Sequence, residues 1–322
     1  MRFEYSAGAA ICSYRDGSRR FLFLVREDGR LDLPKGKIEK KESAEEAAIR
    51  EIREESGLAV RFDTAFRYGV DYWYAFKGEK VKKHVTMFLA EVDGSAKVKI
   101  SWEHKGYEWL DYKSAMEKLP YEQWKGLITA ANEYMDKKEQ METLNEEYAK
   151  IPGRNKGWSL SGRLVKGEGS LDAKVMFVGQ APGANEEKEG RPFIGISGRL
   201  LDRLIASAGL KREACYITSV VQFFPPRNRI PTDEEIALCK SFILAQVEII
   251  KPRIVVLLGS VAAKTLVGAD RIMKNHGTCM KRGNVVYFLS LHPAAAVRLK
   301  KNVPVMERDF AKLKVLVKRI SP

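Results

Sequence analysis

The sequence predicts an α/β protein of two domains, with a mixed sheet between helices in the first half and a parallel sheet covered by helices on both faces in the second. Three observations carry that expectation. The chain has 322 residues, enough for two sizeable cores. Its charge is divided: residues 1–150 hold 27 Lys and Arg against 28 Asp and Glu, and residues 151–322 hold 29 against 14, so the whole excess of +14 belongs to the second half. The second half also alternates apolar runs with helical stretches, the rhythm of βαβ units. A neutral half joined to a strongly basic one suggests two tasks, the basic one directed at nucleic acid.

In the first half, the apolar runs 9–14 and 21–25 flank a turn at Asp16-Gly17-Ser18, the pattern of a hairpin of buried strands. Leu33-Pro34-Lys35-Gly36 then leads into residues 36–58, GKIEKKESAEEAAIREIREESGL. Ser43 with Glu46 three residues on forms a capping box that opens a helix near 43. Along that helix Ala47, Ala48 and Ile52 suit a core, while Glu51, Glu54 and Glu55, at i, i+3 and i+4, share another face. Clustered carboxylates repel unless a cation sits among them, and hard oxygen donors suit Mg²⁺ or Mn²⁺ beside a phosphate chain. Arg50 lies one turn before Glu54 and can orient it. On the glutamates alone a solvated acidic face is the plainer reading. Strand-like segments follow at 59–66, 69–76 and 81–92. From 123 to about 148 the chain is polar and helix-forming, until Ile151-Pro152-Gly153 breaks it. The expected division is a domain over 1–137, a helical linker over 138–152 and a second domain over 153–322.

In the second half, buried strands are expected at 175–179, 215–221, 254–258 and 285–289, with helices at 197–208, 233–250, 260–267 and 304–319. In such a sheet, ligands sit beyond the carboxyl ends of the strands. The unusual residues cluster there, in the loops 179–183, 219–229 and 292–295. The four cysteines lie far apart with no CxxC pair, as in a protein of reduced thiols. No apolar run is long enough to span a membrane, and residues 1–17 lack the layout of a signal peptide, so the expected location is cytoplasmic.

Residues 36–58 match every signature position of the Nudix box, and the first half resembles a Nudix hydrolase. With HVTMFLAEV at 84–92 and SWEHKGYEWLDY at 101–112, it is similar to the subgroup that includes diadenosine tetraphosphate hydrolases. The resemblance implies an α/β/α sandwich in which a metal-activated water cleaves a nucleoside polyphosphate. Glu51, Glu54 and Glu55 would hold Mg²⁺ or Mn²⁺, with Glu54 also catalytic. Glu103 matches an added ligand or general base, or is a surface carboxylate. Lys35, Arg50 and Lys82, with Lys83 and His84, would contact phosphates. Tyr72, Trp73 and Tyr74 would stack a base, or pack within strands.

The loops GQAPG (179–183), GRPFIGISG (190–198), FFPPRNRIPTDEEI (223–236) and LHPAAAVR (291–298) resemble the uracil-DNA glycosylase superfamily, in its iron–sulfur branch from thermophilic bacteria and archaea. That implies a three-layer α/β/α domain around a central parallel sheet, acting on DNA. His292 would donate to the base, or cap its turn; Phe193 would stack on the flipped ring, or pack in the core; and Gln180, Ala181 and Gly183 would contact base and water. Ser219 would read the base, and Arg298 would hold a phosphate.

Three departures follow. Asn155, Trp158 and Phe223 stand at three of the four cluster-cysteine positions, leaving Cys239, and one thiolate cannot hold an iron–sulfur cluster. Trp158 and Phe223 would fill that space. Gln180 replaces a glutamate, so it can orient a water without taking its proton, and Ser219 replaces an asparagine that pairs twice with uracil. The expected function is bifunctional: hydrolysis of a nucleoside polyphosphate, plus excision of uracil or a related deaminated base from DNA. The alternative is an active Nudix hydrolase with a non-catalytic DNA- or lesion-binding module. The sequence names no protein partner and implies no membrane partner.

Overall fold

The computed structural model describes residues 2–76, 78–154 and 159–320. Asn155 and Trp158 lie outside them. The chain divides into two units, Met1–Asp136 and Lys137–Pro322.

The sheet of the first unit is built from β1 (Arg2–Arg15), β2 (Ser18–Val25), β3 (Leu31–Asp32), β4 (Lys35–Lys37), β5 (Arg61–Phe76), β6 (Glu79–Glu91) and β7 (Gly106–Leu110). Its order is β3-β2-β1-β6-β5, with β4 on β1 and β7 on β2. The β1–β6 pair is parallel and the others antiparallel, which is the mixed sheet expected. Asp16-Gly17 turns β1 into β2, with Arg15 opposite Ser18. The segments 59–66 and 69–76 form one strand, β5, whose register shifts between Asp63 and Arg67.

Helix α1 (Ala44–Ser56) starts at Ser43 with both halves of the capping box made and ends at Gly57 in the left-handed conformation. Its Ala47, Ala48 and Ile52 pack on Ala7, Ala9, Ile11 and Phe88. After α2 (Tyr112–Lys118) comes α3 (Glu122–Ala149), a single helix of 28 residues. In the first unit α3 meets the other side of the sheet through Tyr134, 5.2 Å from Phe66, and through Trp124, under the Lys35 ammonium. Residues 138–149, set out above as linker, are the end of α3, and Tyr148 there is buried among side chains of the second unit. The helix ends ahead of Ile151, and one further turn, α4 (Ile151–Arg154), follows it.

The second sheet comprises β8 (Glu168–Gly169), β9 (Val175–Gly179), β10 (Tyr216–Ser219), β11 (Ile254–Leu258), β12 (Cys279–Arg282) and β13 (Val285–Ser290), in the order β12-β13-β11-β9-β10-β8. The four central strands run parallel, and the edge strands β8 and β12 are antiparallel. Five residues each of β9 and β11 are wholly buried, as strands covered on both faces must be. The helices are α5 (Ala184–Glu189), α6 (Ile196–Ser207), α7 (Asp233–Ile250), α8 (Ser260–Val267), α9 (Ile272–Asn275), α10 (Pro293–Arg298) and α11 (Val303–Ile320). Leu201 and Leu204 of α6 and Phe310 and Leu313 of α11 pack on Val175, Phe177 and Val256. No helix among the described residues is long and apolar enough to cross a membrane.

Candidate functional site

The first unit gathers its chemistry where β4 meets α1. Gly36 is required there, because a Cβ on it would overlap the Glu51 carboxylate. The Lys35 N–H donates to Glu55 Oε2 at 3.1 Å. Burial pushes the Glu55 carboxyl up to about 8, with Glu51 and Asp32 adding to the rise against Lys35. Two carboxylates are thus crowded against one backbone bend, an arrangement that a divalent cation relieves, so these residues fit one. Glu54 points elsewhere: its side chain is 59% exposed and pairs with Arg50 at 3.1 Å. Arg50 also holds Glu51 at 2.7 Å and Glu42 at 2.9 Å. Among the described residues, no three His, Cys, Asp or Glu side chains converge as a metal site.

Glu103 is exposed on a turn tied to the end of α1 by the Ser101 N–H, which donates to the Glu55 carbonyl at 3.1 Å. Its neighbour His104 has its pKa lowered by burial, while Glu103 and Asp32 oppose that fall. Lys35 is engaged by Asp32 at 2.6 Å. The pairing registers separate the other expected contacts. Lys82 lies opposite Phe3 and Trp73, and Lys35 lies opposite Gly8, so their side chains leave opposite faces of the sheet. Tyr72 and Tyr74 share the face of Lys35; Trp73 shares that of Lys82 and stacks under Lys80 and Lys82. Burial pushes the Tyr72 hydroxyl up to about 12.

In the second unit the loops beyond β9, β10 and β13 enclose a cavity of about 630 Å³. Gln180, Ala181, Gly183, Phe193, Ser219, His292 and Arg298 all line it. Phe193 is 6% exposed and holds φ +53°, a left-handed conformation that a bulky residue adopts only under constraint. The constraint is visible on both sides. Glu186 accepts from Ile194 N at 3.1 Å and Gly195 N at 2.9 Å, and Arg212 donates to the Pro192 carbonyl at 2.8 Å. Glycines make room: a Cβ on Gly179 would stand 2.5 Å from the Phe193 ring, and one on Gly198 would overlap the Phe193 carbonyl. The rings of Phe193 and His292 lie 5.7 Å apart.

His292 caps α10, its Nδ1 accepting from Ala294 N at 3.1 Å. The imidazole proton therefore sits on Nε2, a buried atom with no hydrogen-bond partner among the described residues. Burial, helped by Arg298, drives the pKa down to about 4, so the ring is neutral at physiological pH. An N–H with no partner among the described residues, beside the tilted Phe193 ring, can donate to a base that enters the cavity.

Two family models match the chain: one described as the NUDIX domain, over residues 4–131, and one described as the Uracil DNA glycosylase superfamily, over 166–314. A Type-4 uracil-DNA glycosylase of Thermotoga maritima is 39% identical over 165 residues, which span 48% of this chain and 84% of that protein. The chain belongs to the uracil DNA glycosylase superfamily. Its first part is a NUDIX domain. Both are families of enzymes. A Type-4 uracil-DNA glycosylase of Sulfurisphaera tokodaii is 38% identical over 169 residues, or 49% of this chain and 77% of that one. Among solved structures, an Ap4A hydrolase of C. elegans in a binary complex is 25% identical, covers 39% of this chain and 93% of its own, and has a TM-score of 0.36.

Within the glycosylase-superfamily unit, Cys239 is buried, and that burial pushes its thiol up to about 11. Phe223 is fully buried nearby, but its companion is Tyr148, a residue sequence reasoning passed over. The Tyr148 ring stacks on Phe242 at 4.2 Å and meets Phe223 edge-on at 5.2 Å. Its hydroxyl accepts from Gln222 N at 3.3 Å, three residues beyond Ser219. Glu186 was also missed. It additionally accepts from Gly183 N at 3.2 Å, tying the Gly183 loop to the Phe193 loop. The Gly183-x-x-Glu186 spacing, half of a capping box, was the signal that marked it.

Proposed function

We propose that the NUDIX unit hydrolyses a nucleoside polyphosphate and that the glycosylase unit excises uracil or a related deaminated base from DNA. One observation carries the second claim: residues from three separate loops converge on a single cavity around an unpaired, neutral His292. In the proposed reaction the bond from C1′ to the base nitrogen breaks with both electrons leaving on the base, and water adds to the resulting oxocarbenium carbon. His292 Nε2–H donates to the base oxygen where the negative charge grows, Phe193 stacks on the ring, and Ser219 makes one hydrogen bond to it. The Gln180 amide orients the water, whose proton passes to solvent. Arg298 takes a backbone phosphate.

In the NUDIX unit Glu51 and Glu55, with Glu54 after Arg50 releases it, would hold a divalent cation. Bound there, the cation would supply Lewis acidity and an activated water. Arg50 would hold phosphate oxygens when Glu51 and Glu54 turn from it, Lys35 would reach them from its place beside Asp32, and Glu103 would serve as a base. Together the two activities suit DNA repair paired with cleansing of the nucleotide pool.

Gln180 and Ser219 favour a second reading, a lesion-binding module without bond cleavage, since neither supplies a general base nor the paired amide contact. Alkali-induced strand scission of uracil- and hypoxanthine-containing duplexes separates the two. Retained DNA affinity with no released base would overturn the excision claim. For the NUDIX unit, Glu54→Gln is expected to lower Mg²⁺-dependent polyphosphate hydrolysis by about 10²-fold or more. Unchanged turnover would move the metal site elsewhere.

A further inference from the structure

The face of the first sheet that carries α1 continues past the helix. Under α1 it is apolar and closed, with Ala7, Ala9 and Ile11 of β1 packed against Ala47, Ala48 and Ile52. Two and four residues before Ala7, the strand's alternation puts Tyr5 and Phe3 on that same face, where they are 57% and 56% exposed. The pairing register carries the patch across two more strands. Phe3 lies opposite Lys82 of β6, and Lys82 lies opposite Trp73 of β5, whose side chain is 42% exposed. Lys80, two residues before Lys82, shares the face. Asp71 brings an acid to it, but that carboxylate is engaged by His84 at 2.9 Å.

Neither the hydrolytic site nor the fold accounts for this patch. The chemistry around Lys35 leaves the opposite face, where Glu4 pairs with Lys83 at 3.2 Å and accepts from the Tyr74 hydroxyl at 3.1 Å. A single apolar side chain in water is ordinary, but three aromatic rings set together across three strands add nothing to the core and invite association. The rings are interleaved with cations. The Lys80 and Lys82 ammoniums lie 4.8 and 6.0 Å from the Trp73 ring centroid.

We infer that this face is a stacking platform for single-stranded DNA, separate from the carboxylates of α1 and from the cavity of the second unit. Residues two apart on a strand stand about 6.6 Å apart, so Phe3 and Tyr5 can take successive bases of an extended strand, with Trp73 taking another across Lys82. Lys80 and Lys82 then give up the Trp73 ring to a base and turn to the phosphates. The first half of the chain is neutral overall, so stacking supplies most of the affinity, and it is indifferent to sequence because every base has a π-face. The choice of DNA over RNA rests on the proposed work of the second unit on DNA.

The test uses the full chain and follows its tryptophan emission as a thymidine DNA hexamer is added. The wild type is expected to show a saturable quench, most of which Trp73→Phe removes. Phe3→Ala combined with Tyr5→Ala should weaken binding about ten-fold or more, with an unchanged circular dichroism spectrum because both side chains are exposed. With Lys80 and Lys82 as the phosphate contacts, log K should fall against log salt with a slope of about 1.4, at about 0.7 per contact on a single strand. An absent quench, or a double variant that binds as tightly as the wild type, would overturn the platform. So would a thymidine dimer that binds as tightly as the hexamer, which marks a single-nucleotide pocket, or a salt slope as steep as that for duplex DNA, which places binding on the basic second half. Tighter binding of a uridine RNA hexamer would overturn the assignment to DNA. If the quench behaves as expected but the chain releases no uracil from any substrate, the platform stands and the excision reading fails.

Discussion

At the scale of single residues, His292 concentrates the argument. Its Nδ1 is committed to the Ala294 N–H and its Nε2–H has no partner among the described residues, so the tautomer is set by the turn that begins α10. Removing one preorganised donor to a developing anion typically costs 10²–10³ in rate, and His292→Ala should slow base release by about that factor in single-turnover assays. The pH dependence has a definite sign. An unfolded imidazole takes its proton near 6.5 and the folded one near 4, so between those values the unfolded chain binds more protons. The stability that neutral His292 contributes is complete above pH 6.5 and is lost as the pH falls toward 4. Chemical denaturation at stepped pH should show that loss in the wild type and a smaller one in His292→Gln.

At the scale of elements, the glycosylase cavity is shaped by what β9 and α6 lack. Gly179 ends β9 under the Phe193 ring, and Gly198 opens the first turn of α6 under the Phe193 carbonyl. Gly179→Ala should push the ring off its seat beside His292 and abolish base release, while circular dichroism shows the sheet intact. The elements themselves were legible in the sequence, because the signals that form them are local. Ser43 and Glu46 announced α1, and the uniformly apolar runs at β9 and β11 announced central strands. The cavity loops were legible as motifs. The direction of Glu54 was not, since the i, i+3, i+4 spacing of the glutamates says which side of α1 they leave from and nothing about Arg50 reaching between them. The alternation of Tyr72, Trp73 and Tyr74 about the sheet was implicit in the period of two, but assigning a face to each required the pairing register. Tyr148 was hidden for another reason: its partners Phe223, Phe242 and Cys239 lie 75 or more residues away in the chain.

At the scale of the whole molecule, charge separates the two proposed tasks. The second half carries 29 basic residues against 14 acidic, and the first 27 against 28. Binding of duplex DNA should weaken steeply with salt, log K falling linearly against log salt at about 0.9 per phosphate contact. Polyphosphate hydrolysis measured over the same salt range should change far less, and a shared slope would mean that both activities depend on the same basic surface. Rings fill the space around Cys239, where Tyr148 stacks on Phe242 and meets Phe223 edge-on. The base excision proposed here draws on His292, Phe193 and Ser219 and on no divalent cation. Overnight dialysis against EDTA should therefore silence nucleotide hydrolysis until Mg²⁺ is returned, while base excision by the same sample continues, so that one chain could be assayed for either activity without dividing it.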